Sequence, residues 1–503
     1  MRQESWRPTI IFVIFAILAG LLISYAPQLI YRFIVPIGGD SFSHLQTVIE
    51  LTDGNLAGAI HRYPPLFHSF PALLSSLTNL SPIQGLVWFN PILLFLSALS
   101  LAYVVGRWLK SWPAVFIVFG FGLLIALQPF QIWQDGGYPN VLASYVFLPI
   151  GLWSLAKLAY DEQDKTALPI YLLVGALIFL THHLTTITYF LISFVFLVLR
   201  FINAYLRKEE LSGHLKTVGW AVLALVSLGV LSIPFGFAGR LFKLVFAFNS
   251  HFPFIEFARG LDSQFAILDI AEIPFSIGWE LAVLGGLGLV LLWLDREIKW
   301  QIKLFFSAWV LTLVALSQIK GLVFPIRFAR ELGAPLTILA GFATIKVFQN
   351  LPTLLRLVWV PLILVLVVSG TTTKVKKVME LPQRIEFTEY DLAASHFLDF
   401  ADNEACAYVV PRSRYYQYFT SIEIKSYALI AAVRKDFDRL VADEDPQFAG
   451  ACRYTVAERI PGEFDWAGNL EQKGFIPEAS FDGETRGAKV FLTNEALYES
   501  EDE

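Results

Sequence analysis

Charge is scarce in this sequence. Asp, Glu, Lys and Arg make up 16% of its 503 residues, whereas a soluble chain carries about a quarter. With 55% hydrophobic residues, that scarcity excludes an ordinary soluble domain. Strand-like alternation is missing too. The apolar runs are about 20 residues long and end in charge or Pro/Gly, which excludes a β-barrel and indicates a polytopic α-helical membrane protein. Cysteine is limited to Cys406 and Cys452, which allows one disulfide in an oxidising compartment or two thiols in a small core. Glycine-rich nucleotide loops, a GxSxG elbow and Cys/His zinc spacing are all absent. No internal repeat is visible, although repeats are common in transporters. The first apolar run, Thr9 to Ile30, is too long for a signal-peptide core and lacks a small-residue cleavage site, so it reads as an anchor.

Transmembrane helices are expected near residues 9–30, 84–106, 113–130, 139–158, 168–181, 184–202, 217–237, 273–294, 302–318, 332–348 and 357–372, about 11 in all. The stretch 66–80, broken by Pro71, reads as an interfacial or re-entrant helix on the first loop. Cations sort by side. With a cytoplasmic N-terminus, the inner turns take Arg2, Arg7, Arg107, Lys110, Lys157, Lys299 and others, and the opposite loops hold fewer. The positive-inside rule therefore places the N-terminus in the cytoplasm, and an odd number of crossings puts the C-terminus outside. From about Lys374 the composition turns mixed and polar. A small exoplasmic α/β domain is expected over 374–503, following a membrane domain over 1–373 with a long first outer loop at 31–83. "CAYVV", "CRYTVAERI" and "AKVFLTN" read as strands, and "YALIAAVRKDFDRLVADE" reads as a helix.

The residues with chemical potential gather in the outer loops. In "GGDSFSH", Asp40 and His44 stand at i and i+4, on one face of a helix that starts after Gly38–Gly39. Asp40 can cap that helix, accept a proton from an attacking hydroxyl, or join His44 as a ligand for a divalent cation. "HRYPPLFH" holds Arg62, Tyr63 and His68 around Pro64–Pro65, a rigid turn that aims its neighbours or simply joins loop to helix. "QDGGYPN" places Asp135 and Tyr138 beside two glycines, which permit close approach of a ligand but also an ordinary Asx turn. "THHLTT" sets His182 and His183 between apolar helices, where a histidine faces a cavity or is hydrogen-bonded within the bundle. Lys320, Arg327 and Arg330 cluster in "KGLVFPIRFARELGAPL". There they can bind lipid phosphate oxygens or pair with Glu331 or loop carboxylates, and Arg259 is a further cation of that kind. Of the possible metal ligands, Asp40, His44 and Asp135 are the candidates, and a divalent cation is one possible cofactor.

"GGDSFSH", with the looser "YPPLFH", "GGYPN" and "PIRFARELGAPL", resembles the GT-C superfamily of membrane glycosyltransferases. That group includes protein mannosyltransferases, oligosaccharyltransferase catalytic subunits, aminoarabinose transferases and mycobacterial arabinosyltransferases. The resemblance covers residues 1–373. It implies a hexosyl- or pentosyltransferase of the cell envelope that takes sugar from a polyprenyl-phosphate donor and passes it to a glycan, lipid or protein acceptor, with no nucleic-acid partner. It also implies Asp40 as the general base, assisted by His44. The donor phosphate would be met by Arg327, Arg330, Lys320 and Arg259, and the substrate by Arg62, Tyr63, His68, Asp135, Tyr138, His182 and His183. Residues 1–373 lack the DxD pair of oligosaccharyltransferases, and the C-terminal part lacks their WWDxG motif. A transporter or flippase for lipid-linked or anionic solutes is the alternative reading.

Overall fold

Apolar length decides most of the architecture. The computed structural model describes residues 6–31, 36–38, 41–160, 166–208, 219, 269–319, 325–381, 406–410, 428–431, 454–459, 468, 471–472, 476–482 and 487–492. These residues fall into two units, Met1–Arg32 with Thr47–Glu380, and Phe33–Gln46 with Leu381–Glu503.

The chain begins with α1 (Trp6–Tyr31). A turn at Gly38, whose φ of +87° suits glycine, leads into α2 (Ser41–Thr52). The Ser41 hydroxyl donates back to the Gly38 carbonyl at 2.5 Å. Then come α3 (Leu56–Arg62), capped by the Asn55 side chain on the Gly58 amide, and α4 (Leu66–Thr78), which starts directly after Pro64–Pro65. The helix expected at 66–80 thus forms and carries Pro71 inside it. A capping box between Ser81 and Gln84 starts α5 (Pro82–Phe89), and α6 (Ile92–Leu109) continues the same 28-residue span.

Next, α7 (Trp112–Leu124) and α8 (Leu127–Gln134) form one span over Trp112–Gln134. In the following span α9 (Tyr138–Val141) passes into a π-helical segment, Leu142–Phe147, before α10 (Leu148–Tyr160). α11 (Ala167–Phe179) is shorter, and α12 (His183–Leu206) is a full span. After a 3-10 turn, α13 (Ile273–Ile277) and α14 (Trp279–Leu294) meet at 107° across Gly278, whose φ is +99°. The crossing expected at 273–294 is therefore bent at Gly278, where glycine lets the backbone turn sharply. α15 (Trp300–Ser317), α16 (Pro325–Glu331), α17 (Gly333–Asn350) and α18 (Thr353–Met379) complete the unit.

Among the described residues, eight helices are long and apolar enough to cross a membrane, or nine if the bent pair counts as one span. The chain is a multi-pass membrane protein. The crossing expected at 217–237 lies outside the described residues. The last helix runs to Met379 rather than ending near 372, because "TTTKVKKV" keeps helical hydrogen bonding after the apolar stretch ends.

Glycine allows the closest helix packing, as it does generally in membrane bundles. A Cβ on Gly288 would lie 2.1 Å from the Leu339 carbonyl oxygen, and one on Gly341 would lie 2.1 Å from Val118. These contacts lock α14 to α17 and α17 to α7. Away from them, the interior is aromatic, with Trp108, Trp153, Phe305, Phe306, Trp309 and Phe342 joined ring to ring. The outer helices are different. In α18, Leu354, Leu357, Val358 and Val365 are exposed, an apolar face that suits acyl chains.

The second unit contains a sheet of five strands in the order β2-β1-β3-β5-β4. They are β1 (Cys406–Val410), β2 (Ala428–Ala431), β3 (Tyr454–Arg459), β4 (Pro477–Asp482) and β5 (Gly487–Leu492). β1 runs parallel to β2 and β3, and β5 is antiparallel to β3 and β4. Cys406 opens β1, as expected, while Cys452 lies outside the described residues. The expectation of helix at "YALIAA" is wrong, since Ala428–Ala431 is a strand. A short apolar run paired in parallel has no alternation by which to tell it from a buried helix.

Candidate functional site

Five helix ends converge at one end of the membrane unit: the starts of α4, α9 and α12 and the ends of α8 and α16. The turn Gln134–Tyr138 is built on glycine. Gly136 has a φ of +85°, and the Gly137 amide donates to the Ile132 carbonyl at 2.8 Å. This turn caps α8 at Asp135 and starts α9 at Tyr138. Arg330 donates from its guanidinium to the Asp135 carboxylate at 2.6 Å, with 24% and 43% of the two side chains exposed. The Tyr145 hydroxyl donates to the Arg330 carbonyl and so fixes the end of α16.

Behind this ion pair lies a buried polar cluster. Ser144 Oγ is 2.6 Å from Glu331 Oε1, 2.7 Å from Asn140 Oδ1 and 2.9 Å from Thr185 Oγ1. Thr185 Oγ1 is in turn 2.8 Å from His182 Nδ1 and 3.2 Å from Asn140 Oδ1. The Thr185 amide also donates to His182 Nδ1, which makes that nitrogen the acceptor and leaves the ring proton on Nε2. Each hydroxyl has one proton to give. Ser144 and Thr185 therefore supply two protons to three acceptors: the Asn140 amide oxygen, the Glu331 carboxylate and His182. The cluster is acceptor-rich, and Glu331, Ser144 and Thr185 are fully buried. Arg327 lies one turn before Arg330 on α16.

Beside the cluster, aromatic rings and imidazoles line up. The Leu66 amide donates to the Leu180 carbonyl at 3.0 Å, joining α4 to the turn before α12. Tyr63 lies 5.3 Å from His68, 6.4 Å from His182 and 6.2 Å from His183 between ring centroids. His68 donates from Nδ1 to the Pro64 carbonyl at 3.1 Å, and Phe67 stacks at 6.1 Å on Tyr138.

Seven of the sequence candidates thus come together: Tyr63, His68, Asp135, Tyr138, His182, His183 and Arg330, with Arg327 adjoining. Asp40, Lys320 and Arg259 lie outside the described residues, as does the side chain of Arg62. His44 is buried on α2 in the other unit. Four residues of the cluster were not foreseen as site residues. Asn140, Thr185 and Glu331 stood in quoted motifs, as the end of "QDGGYPN", within "THHLTT" and after Arg330. Ser144 had no signal, because its partners come from 41 and 187 residues away in the chain.

No group of three or more His, Cys, Asp or Glu among the described residues is placed to hold a metal ion. The described residues do not fit a metal site.

The fold of this bundle is that of the GT-C superfamily. The Archaeoglobus fulgidus oligosaccharyltransferase in its apo form aligns with a TM-score of 0.58 at 14% identity, over 91% of this chain and 70% of that one. ArnT from Cupriavidus metallidurans, solved bound to undecaprenyl phosphate, aligns with a TM-score of 0.57 at 12% identity, over 98% of this chain and 99% of that one. The mycobacterial arabinofuranosyltransferase AftD aligns with a TM-score of 0.60 at 13% identity, and the chain spans 40% of its length. No curated protein sequence matches the chain. By its sequence the chain belongs to a family of unknown function, DUF6541, whose model matches residues 32–326.

Proposed function

We propose that this chain is an integral membrane glycosyltransferase. It moves a sugar from a polyprenyl-phosphate donor to an acceptor hydroxyl at the outer membrane face, with Asp40 as general base. One observation carries the reading: a GT-C bundle gathers an Asp–Arg pair, three imidazoles and two tyrosines at one end, where its helices carry no other reason to be polar. Asp40 takes the acceptor proton as the acceptor oxygen attacks the anomeric carbon. A bond forms to that carbon, its bond to the phosphate oxygen breaks, and the lipid phosphate leaves with the negative charge.

Arg330 and Arg327 suit that leaving group. A partly exposed ion pair such as Asp135–Arg330 is worth only about 0–1 kcal/mol, so Arg330 can exchange a carboxylate for phosphate oxygens at little cost. Lys320 and Arg259 are further phosphate ligands in this reading. Tyr63, Tyr138, His68, His182 and His183, with Arg62, offer ring faces and hydrogen-bonding nitrogens to a sugar and its acceptor. Asp135 is a further substrate-binding residue in this reading, and His44 assists Asp40.

The test uses the full chain reconstituted in lipid, with labelled polyprenyl-phosphate sugars and release of sugar to water or a simple acceptor as readout. Asp40→Asn should lower turnover by about 10²–10⁴-fold while the donor still binds, and Arg330→Gln should weaken donor binding. Donor carried intact across the bilayer, equally well by Asp40→Asn, would replace this reading with a transporter. A chain that binds none of the donors would remove the polyprenyl-phosphate assignment.

A further inference from the structure

The opposite end of the same bundle holds a second polar feature that the proposed reaction does not use. A cavity of about 810 Å³ is lined by Gly106, Arg107, Trp108, Lys110, Lys157, Glu297, Ile298, Lys299 and Ile302. Lys157 follows Tyr138 by 19 positions along one helical span, roughly 28 Å at 1.5 Å per residue. The cavity and the site at Tyr138 therefore lie near opposite membrane faces. Four cations reach it from three separate segments: the end of α6, the end of α10 and the α14–α15 turn.

Among the described residues its one acid is Glu297, which is 89% exposed and lies 3.8 Å from Lys346. The neighbouring Asp295 is taken by Lys346 at 2.6 Å, and Lys303 donates to the Trp293 and Asp295 carbonyls. Among the described residues Arg107 and Lys110 have no ion pair or side-chain hydrogen bond. Cations at helix ends are common as topological anchors, but anchors have no need to wall one concavity. Trp108, Ile298 and Ile302 give the lining an apolar part, beside the ends of the membrane spans. The volume suits a headgroup-sized ligand.

We infer that this cavity binds the phosphate headgroup of an anionic phospholipid, with Arg107, Lys110, Lys157 and Lys299 on the phosphate and Trp108 and Ile302 against the first carbons of its chains. The inference is independent of the proposed glycosyl transfer. A basic pocket between helices at the membrane boundary has the chemistry for such lipids.

Lys110 provides a clean variant. It closes α6 in the left-handed conformation, with a φ of +50°, which glycine adopts at less cost. Lys110→Gly removes a cation and leaves the helix end at least as stable. The experiment places the full chain in phosphatidylcholine vesicles containing labelled phosphatidylglycerol and reads the lipid retained by the purified protein. The wild type should prefer phosphatidylglycerol, and Arg107→Gln with Lys110→Gly should weaken that preference by about 30-fold. Lys208→Gln, which removes an exposed cation outside the cavity, should leave it unchanged. An unaltered preference in the double variant, or an equal loss in Lys208→Gln, would overturn the site. Full displacement of the labelled lipid by millimolar inorganic phosphate would overturn the lipid and assign the cavity to a soluble phosphate.

Discussion

The two ends of the membrane bundle use polarity in opposite ways. At the Tyr138 end the polar groups face one another: Ser144 and Thr185 link Asn140, His182 and Glu331, and Arg330 meets Asp135. At the Lys157 end the charges are exposed and mostly of one sign. A polar residue inside a bundle must be satisfied there or it destabilises the fold, so the first end reports a built arrangement. A cation at a helix end is compatible with topology alone, so the second end gains meaning only from its concave shape. Burial makes one end legible, and geometry the other.

The largest effect should come from the contact that holds both ends on one scaffold. Gly288→Val drives a side chain into the Leu339 backbone, at a cost of about 3 kcal/mol or more. The thermal melt in detergent should fall steeply, with donor binding and anionic-lipid preference lost together. If one end survived that change, the ends would be separate modules. A smaller and one-sided effect is expected at Glu331. Glu331→Ala removes the buried partner that lies 2.6 Å from Ser144 Oγ and should cost roughly 1–3 kcal/mol, whereas Glu331→Gln keeps an acceptor and should cost less than half as much. Both variants should preserve the lipid preference at the Lys157 end, and a loss there would show that the buried cluster couples across the membrane.

The smallest effect concerns Asp295, in the turn between α14 and α15. Burial opposes its charge, but the hydrogen bond from Lys346, the Glu297 amide and the charges of Lys346 and Lys303 outweigh it and hold the carboxyl below its ordinary pKa. A carboxyl depressed in the folded state stabilises above its unfolded value of about 3.8 and loses that contribution as pH falls. Melting temperature should therefore drop on acidification, and the drop should be shallower in Lys346→Met. Equal slopes in the two proteins would remove Lys346 as the cause.

Much of this was legible in the sequence, for physical reasons. A span needs about 20 apolar residues, so its position is written locally, and α12 differs from expectation by one residue at its start. Where a local rule has an exception, the reading failed. Gly278 bends a run that hydropathy treats as continuous, and Ala428–Ala431 is too short and too apolar to show its period. The motifs marked the right neighbourhood, since "YPPLFH", "GGYPN", "THHLTT" and "FARE" each contribute to one cluster. What they could not show was pairing. Arg330 had Glu331 beside it in sequence, yet it bonds to Asp135, 195 positions away, because adjacent helical residues point in different directions.

One consequence remains in the six-residue π-helical segment Leu142–Phe147. Such a segment accommodates one extra residue within an otherwise α-helical span, and it sits where Ser144 and Tyr145 reach Glu331 and Arg330. Deleting a single residue there would restore α-helical pitch within the segment and re-aim Ser144 and Tyr145 while the flanking turns keep their phase. The segment works as a phase shifter: it lets one helix present Asn140 to one neighbour and Tyr145 to another. A lineage could re-aim this site by gaining or losing one codon while the apolar length that spans the bilayer stays almost unchanged.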